Sequence, residues 1–411
     1  MPLTPPPSTS CLVVLQIGAR RVATTVTWME ADAERVLAHR AVDCDWHTLG
    51  DRGRRQVVAE SLALAAQSAG IEQIFSVFVS ISDPSLRANF ASGFVDLGQE
   101  LIFTLDDRHR SLARATHQAI GTDRELLHAL PQHWAVRSKA GEREVDNPVG
   151  ERGARLTCHV LLVTQQRRVR EEVERLLVDS EVAIEGLIAP PVGLYRGMVS
   201  QLPQTGSTLI IDMGARHTHL LVHRKSRLVH IETHVFGGAD LDTLIARELG
   251  ITAPQAEQLK QEVDITAHTR STDYEGQTYL WREVQERHRM LGPAARICAD
   301  ALRAFFGERA RTLRELELLA QRGKIHLVGR AAALGGLVPL VRDVFDLPVV
   351  LGTNASGREL STELTDLMTV GLVRQAAIER RRQLRERQGS SIRQVTSMAS
   401  SLWQWLMAPV R

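Results

Sequence analysis

One device appears twice in this chain. Residues 12–28, LVVLQIGARRVATTVTW, run as an apolar strand, a turn at Gly18 and a second strand of β-branched and apolar residues. Residues 208–223, TLIIDMGARHTHLLVH, do the same. There Leu209-Ile210-Ile211 is a buried run, Asp212 and Gly214 mark the turn, and Leu220-Leu221-Val222 resumes the strand. Two such hairpins, each followed by alternating strand and helix signals, point to a pair of similar α/β halves whose glycine turns face one cleft. Glycine suits that place because it adopts positive φ and has no side chain to keep the backbone from closing on an anion.

The rest of the pattern fills in around the hairpins. Residues 54–69 read as a helix closed by Gly70, and 76–82 as a buried strand. From 83 to 150 the signal changes to a small α+β insert. Its short strands, ASGFVDL and ELIFTL, flank a helix near 107–119 that Asp106 and Asp107 start. RLTCHVLLVT reads as a strand returning to the first half, and Val169, Val173, Leu176 and Leu177 form one stripe of a following helix. Beyond the second hairpin come helices at 238–249 and 253–262, a polar loop over 263–280, and a helical region over 281–321 broken at Gly292-Pro293. A strand at 325–329, the helix GLVPLVRDVF, the strand LPVVLG and a helix over 364–378 complete the body.

Composition removes several function classes. A net charge of +2 and the lack of an aromatic-plus-basic groove argue against nucleic acid. Cys11, Cys44, Cys158 and Cys298 are scattered with no CxxC pair, which suits a reducing cytoplasm and neither a disulfide scaffold nor a zinc site. Cys158 reads as core. His217, His219 and His223 fall on alternate strand positions and could share a face, but no cysteine or carboxylate joins them; they read as the lining of a polar cleft, and no metal site is expected. The start, MPLTPPPSTS, is proline-rich and unlike a signal peptide. No run reaches the ~18 apolar residues of a membrane span, so any membrane contact is expected to be peripheral.

The C-terminus supplies such a contact. Residues 379–390 form an arginine-rich polar run that reads as a linker. After it, Ile392, Val395, Ala399, Leu402, Trp405 and Leu406 fall at steps of three and four, with Trp403 beside them. An apolar face carrying tryptophan, behind a basic stretch, lies in the plane of a membrane interface.

The run LLHALPQHWAV, the loop and strand DNPVGERGARLTCHVLLVT, and LIAPPVGLY resemble FtsA, the actin-like protein of bacterial division, as do FGGADLDTLIARELG, AEQLK and HLVGRAAALGGLVPLVRDVFDLPVVLG. The resemblance implies an actin-like two-lobed α/β fold divided as 11–82, 83–150 (the FtsA-type inserted subdomain), 151–206, 207–354 with 228–322 as its outer subdomain, and a returning helix at 355–378. A tail at 1–10, a linker at 379–390 and an amphipathic helix at 391–411 flank it. It implies an ATP site, with Mg²⁺ if nucleotide binds, formed by Gly18, Ala19, Arg20 and Arg21, by Asp212, Gly214, Ala215, Arg216 and His217, and by Gly329 and Arg330. Gly237, Gly238, Glu257 and Lys260 match positions lining ribose and base. The phosphate side departs from the family. Gln16 and Ala19 stand where an acid and a hydroxyl are usual, Ala215, Arg216 and His217 replace Gly-Gly-Thr, and Arg330 replaces a glycine. ATP binding is therefore expected to be weakened or lost, with no catalytic residue. The implied function is an adapter that polymerises on the inner face of the cytoplasmic membrane and tethers FtsZ through that protein's C-terminal tail, with Arg287 as a contact. Implied partners are FtsZ, further copies of itself, later division proteins at the insert, and lipid. A PilM-like component of a pilus or secretion platform and an active actin-fold ATPase are the alternatives.

Overall fold

The apolar runs at both hairpins become the centres of two five-stranded sheets. The computed structural model of the protein describes residues 11–29, 34–266, 282–319, 323–351 and 367–384. In the first sheet β1 (Cys11–Ile17) pairs antiparallel with β2 (Arg21–Met29), and β2 with β3 (Glu34–Asp43). On its other side β1 runs parallel to β4 (Ser76–Ile81), and β4 to β9 (Ala183–Leu187). The second sheet repeats this arrangement. β10 (Ser207–Met213) pairs antiparallel with β11 (Thr218–Arg224), and β11 with β12 (Arg227–His234). β10 then runs parallel to β13 (Lys324–Val328), and β13 to β14 (Val349–Leu351). β1 and β10 are buried almost throughout. A strand covered on both faces reads as a continuous apolar run rather than an alternating one.

Helices cover each sheet on both faces. On the first, α1 (Asp51–Ala69) and α3 (Arg167–Leu177) bury Val58, Leu62, Val173 and Leu176 against Leu15, Val22 and Val77. On the second, α5 (Gly238–Leu249), α6 (Ala253–Glu262), α7 (Arg282–Glu315) and α8 (Leu337–Phe345) share one core with Leu209, Ile211, Leu220 and Val222. α4 (Pro190–Met198) links the halves and packs under β10 and β11. A last helix, α9 at residues 367–384, packs Leu372, Val373 and Ala376 under β1 and β4.

α4 and α9 meet backbone to backbone. A Cβ on Gly371 would lie 1.8 Å from the Gly193 carbonyl oxygen, and one on Gly197 would lie 2.0 Å from the Leu367 carbonyl oxygen. No rotamer relieves such contacts, so the two helices can approach this closely only with glycine at the crossing.

Several boundaries differ from those the sequence suggests. The insert does not end at 150, because β8 (Arg152–Gln166) is the second strand of its sheet, ordered β5-β8-β6-β7 with β5 (Arg87–Ile102), β6 (Arg124–Ser138) and β7 (Gly141–Val145). ASGFVDL and ELIFTL are one strand, β5, whose register with β8 shifts between Asp96 and Leu101. There Asp96 accepts from the Gly98 amide and Gly98 takes φ 72°, a local turn that mimics a strand break. Thr104 and Asp107 cap α2 (Leu105–Ala119) as a reciprocal pair, so the acids do open that helix. An outer subdomain starting at 228 is also too early, since β12 stays in the main sheet and helices begin at Gly238.

α7 runs unbroken through Pro293. A mid-helix proline costs about 3 kcal/mol, and the buried stripe Ala294, Ala295, Cys298, Leu302 and Phe306 offsets it. The linker expected at 379–390 is helical to 384. Arg380 pairs with Glu185 and donates to the Cys11 carbonyl at 2.7 Å, and Arg381 reaches Glu34 at 3.1 Å. These arginines dock α9 on the first half.

Gly371→Ala is expected to destabilise the protein by about 3 kcal/mol, at the upper end for overpacking, seen as a fall in the urea midpoint. Gly307→Ala on α7, where a Cβ meets nothing within 4 Å, is expected to be neutral or slightly stabilising.

Candidate functional site

The two glycine turns are built alike and sit across one cleft. The Gly18 amide donates to the Arg21 carbonyl at 2.9 Å, and the Gly214 amide to the His217 carbonyl at 2.9 Å. In both turns a Cβ on the glycine would lie 3.1 Å from that carbonyl oxygen. The carbonyls of each turn are held from behind. Trp46 and Cys44 donate to Ala19 and Arg20, while Gly238 and Ala239, at the start of α5, donate to Gly214 and Ala215. A third turn follows β13, where Gly329 takes φ 91° and passes so close to Met213 and Asp212 that a Cβ would lie 2.5 and 2.6 Å from their oxygens.

These turns enclose a cavity of about 370 Å³. Eleven of the expected residues line it: Gly18, Ala19, Arg20 and Arg21 from the first turn, Asp212, Gly214, Ala215, Arg216 and His217 from the second, Gly329 and Arg330 from the third. Gln16, Ser80, Ser82, Pro190, His219 and Met368 join them, and of these Ser80 and Ser82 carried no functional signal in the sequence reading. The strand SVFVSIS places both serines at the C-terminal end of β4, beside Gln16 on β1. Ser80 is 1% exposed and its hydroxyl has no hydrogen-bond partner among the described residues. Asp212 is the one carboxylate among the described residues of the lining.

The expected base-side residues do not line this cavity. A Cβ on Gly237 would lie 2.6 Å from the Ala215 carbonyl group, so α5 begins in direct contact with the second turn. Lys260 donates to the Gly238 carbonyl at 2.7 Å and pairs with Asp242 at 2.6 Å. Asp242 is 5% exposed, and burial raises its pKa while Lys260 opposes the rise. Glu257 pairs with Arg20 at 3.2 Å, and Arg20 also approaches Asp45 at 3.5 Å and Asp242 at 4.0 Å. Arg20 thus reaches from the first half across to α5 and α6 of the second. Its exposed pairs are each worth about 1 kcal/mol or less.

Arg216 and Arg330 have neither a hydrogen bond nor an ion pair with another described residue. Burial and then the Arg216 charge lower the pKa of His47, and burial lowers that of His217. His219 bonds Thr233 at 3.0 Å and Ser82 at 3.4 Å, and burial pushes its pKa down to about 3. His223 turns away to Tyr195 and the Pro203 carbonyl. No cluster of three or more metal-ligating side chains occurs among the described residues. Cys158 is core, its thiol pushed up to about 12 by burial. The membrane-face candidates Ile392, Val395, Ala399, Leu402, Trp403, Trp405 and Leu406 lie outside the described residues. Arg287 falls within α7, and its side chain lies outside them too. No described helix is long and apolar enough to cross a membrane.

Duplicated sheets, three glycine turns around one cleft, and a separate four-stranded insert define an actin-like two-lobed protein with an inserted domain. The PilM component of a PilM–PilN type IV pilus biogenesis complex superposes with a TM-score of 0.57 at 14% identity, over 89% of this chain and 98% of that one, a likeness of fold. The sequence model of cell division protein FtsA matches residues 209–372, and that of the SHS2 domain inserted in FtsA matches 85–164. The chain belongs to the FtsA family. FtsA of Rhizobium meliloti is 29% identical over 205 residues, half of this chain and 45% of that one. FtsA of Enterococcus hirae is 24% identical over 304 residues, 72% of this chain and 66% of that one. The first match thus spans less than half the relative's length. The SHS2 match, starting at 85 and reaching 164, agrees with β8 as part of the insert.

Lys260→Met is expected to destabilise the protein by about 3 kcal/mol, because Asp242 stays buried without its partner; adding Asp242→Asn restores most of the loss in urea denaturation. Glu257→Ala is expected to cost under about 1 kcal/mol. Between pH 6.5, the ordinary histidine value, and about 3, His219 binds its proton in the unfolded chain but not in the folded one. Stability therefore falls as pH drops below 6.5, by up to about 1.4 kcal/mol per unit from this group. His219→Asn is expected to flatten that slope in melts recorded from pH 7 to 5.

Proposed function

We propose that this chain is a cell-division adapter, bound peripherally to the inner face of the cytoplasmic membrane and tethering FtsZ filaments to it. The observation that carries this reading is the inserted SHS2 domain. It is matched by the FtsA-specific model and set between β4 and α3 of an actin-like body that the FtsA model also matches. The inferred partners are the FtsZ tail at the face that includes α7 and Arg287, further copies of the chain in a protofilament, and later division proteins at the insert. Membrane attachment is assigned to residues 391–411, where Trp403, Trp405 and Leu406 sit on or beside an apolar stripe.

We infer that the cleft does not turn over ATP. Phosphoryl transfer needs Mg²⁺ ordered by acids and a positioned water, and among the described residues the cavity offers Asp212 alone as a carboxylate. The nucleoside side does not fit either, because Glu257 and Lys260 are committed to Arg20, Asp242 and the Gly238 carbonyl. The lobes are bridged instead by Arg20. A role as scaffold rather than enzyme follows.

Flotation of the full chain with vesicles containing anionic lipid tests the membrane assignment. The full chain is expected to float, and a chain ending at 390 is expected to remain in the dense fraction. Equal flotation of both would favour the pilus-platform alternative or attachment through another surface.

A further inference from the structure

We propose that strand β6 clasps the insert, the second half and the docked end of α9 together, so that lifting the insert from the body frees the last turns of α9, and freeing α9 loosens the insert. That α9 is the root of a membrane tether rests on the attachment proposed for residues 391–411; the clasp stands on contacts within the body alone.

Three polar side chains of β6, four residues apart, reach out of the insert's own sheet. Arg124 grips the two segments by which the chain enters and leaves the insert. It donates to the Ser85 carbonyl at 2.6 Å, the Thr164 carbonyl at 3.0 Å and the Thr164 hydroxyl at 2.9 Å. Gln132, buried, donates to the Leu228 carbonyl of β12 at 3.1 Å and so holds the second half. Arg227, next to Leu228, pairs with Asp146 of the insert. Between them lies His128, 2% exposed. Its Nε2 accepts from the Ala189 amide, at the start of α4, at 3.1 Å, and its Nδ1 faces Glu379 Oε1 of α9 at 3.5 Å. An imidazole that accepts at one ring nitrogen donates at the other.

The backbone of β6 is shaped for this. Leu126, His128, Leu130 and Trp134 have the same parity, and an unbroken strand would put all four on one face. The register against β8 shifts between Leu126 and His128 and again between Pro131 and His133, with Leu127 and Gln132 as the extra residues. Leu126 and Trp134 therefore pack in the core beneath α2, while Leu130, in the stretch between the bulges that also carries His128, packs on the body with Val192 and Ile231.

Glu379 carries the contact onward. It also accepts from Gln375 Nε2 at 3.0 Å, and Gln375 Oε1 accepts from Arg196 of α4 at 2.9 Å. The polar chain thus runs from the start of α4 through β6 and α9 back to the last turn of α4. Removing one member of a buried network leaves the others unsatisfied, so its members hold or fail together. The two residues after Glu379 are Arg380 and Arg381, whose contacts dock α9 on the first half. Release of 379–384 would extend the tether from 385–390 to 379–390, and its reach from about 20 Å to about 40 Å. Such linkage is reciprocal: whatever loosens one end loosens the other by the same factor.

Hydrogen exchange of the full chain without lipid, read by mass spectrometry, tests the clasp. Gln132→Ala acts on the β12 side, away from α9. It is expected to speed exchange of the amides at 376–384 by about 5-fold or more, the low end of ordinary coupling, while the amides of α7 around Leu302 and Phe306 stay as they were. Glu379→Ala is expected to speed exchange at 126–132 by a similar factor. Glu379→Gln keeps an acceptor oxygen toward His128 and is expected to stay within about 2-fold of the parent chain. Adding Gln132→Ala to Glu379→Ala is expected to change nothing further at 376–384. Faster exchange only beside each substitution overturns the proposal. Additive effects in the double variant overturn the route through Glu379, and a uniform rise that includes α7 is global loosening and overturns the clasp as a specific link. Vesicle flotation reads the membrane assignment separately. A chain that stays in the dense fraction yet shows the remote exchange keeps the clasp and loses the tether; one that floats without it does the reverse.

Discussion

The architecture turns on the contact between α4 and α9. α4 carries the chain from the first sheet to the second and lies under β10, while α9 returns from the second half and lies under β1. Where they cross, Gly193, Gly197 and Gly371 let one backbone rest on the other. Any side chain there would push the helices apart, and with them the two sheets whose turns face each other above. The width of the cleft is therefore set at its floor, by the absence of atoms, before any residue of the site is considered.

Above that floor the two halves are joined by charge. Asp242 is buried beside Lys260, and Arg20 arrives from the opposite turn to Glu257. The buried pair lies within the second half, and the pair that spans the halves, Arg20 to Glu257, is partly exposed and worth about 1 kcal/mol or less, so it biases the halves toward each other only weakly. The bridge between the halves is made by the chain's own side chains. Arg216, Arg330 and the Ser80 hydroxyl have no hydrogen-bond or ion-pair partner among the described residues.

Much of this was legible in the sequence. The duplicated hairpins announced two similar halves, and the glycine turns gave eleven residues of the cavity lining, because turn geometry and apolar periodicity are local signals. Gly70 marked the end of α1 for the same reason. What was misread depended on tertiary context. β8 looked like a strand of the first half because its apolar run does not say which sheet will cover it. The break in β5 was a bulge, and Pro293 looked like a helix end because the stripe that sustains α7 through it is a packing property. Glu257 and Lys260 were read as nucleotide contacts, yet only the folded chain shows that Arg20 and Asp242 have taken them. Ser80 gave no signal at all, since a serine in a buried strand is ordinary until its hydroxyl is found without a partner.

The docked end of α9 has a mechanical consequence. Arg380 and Arg381, bound to Glu185 on β9, the Cys11 carbonyl on β1 and Glu34 on β3, fix the chain across the first sheet as far as residue 384. Six residues, 385–390, then separate the body from the stretch assigned to the membrane, and six residues fully extended cover at most about 20 Å. If 391–411 holds lipid as proposed, a tether of at most that length would restrict tumbling of the body over the surface. Under the proposed attachment at 391–411, each copy would present nearly the same side to the bilayer, and the arginines at the root of the tether would set which side that is.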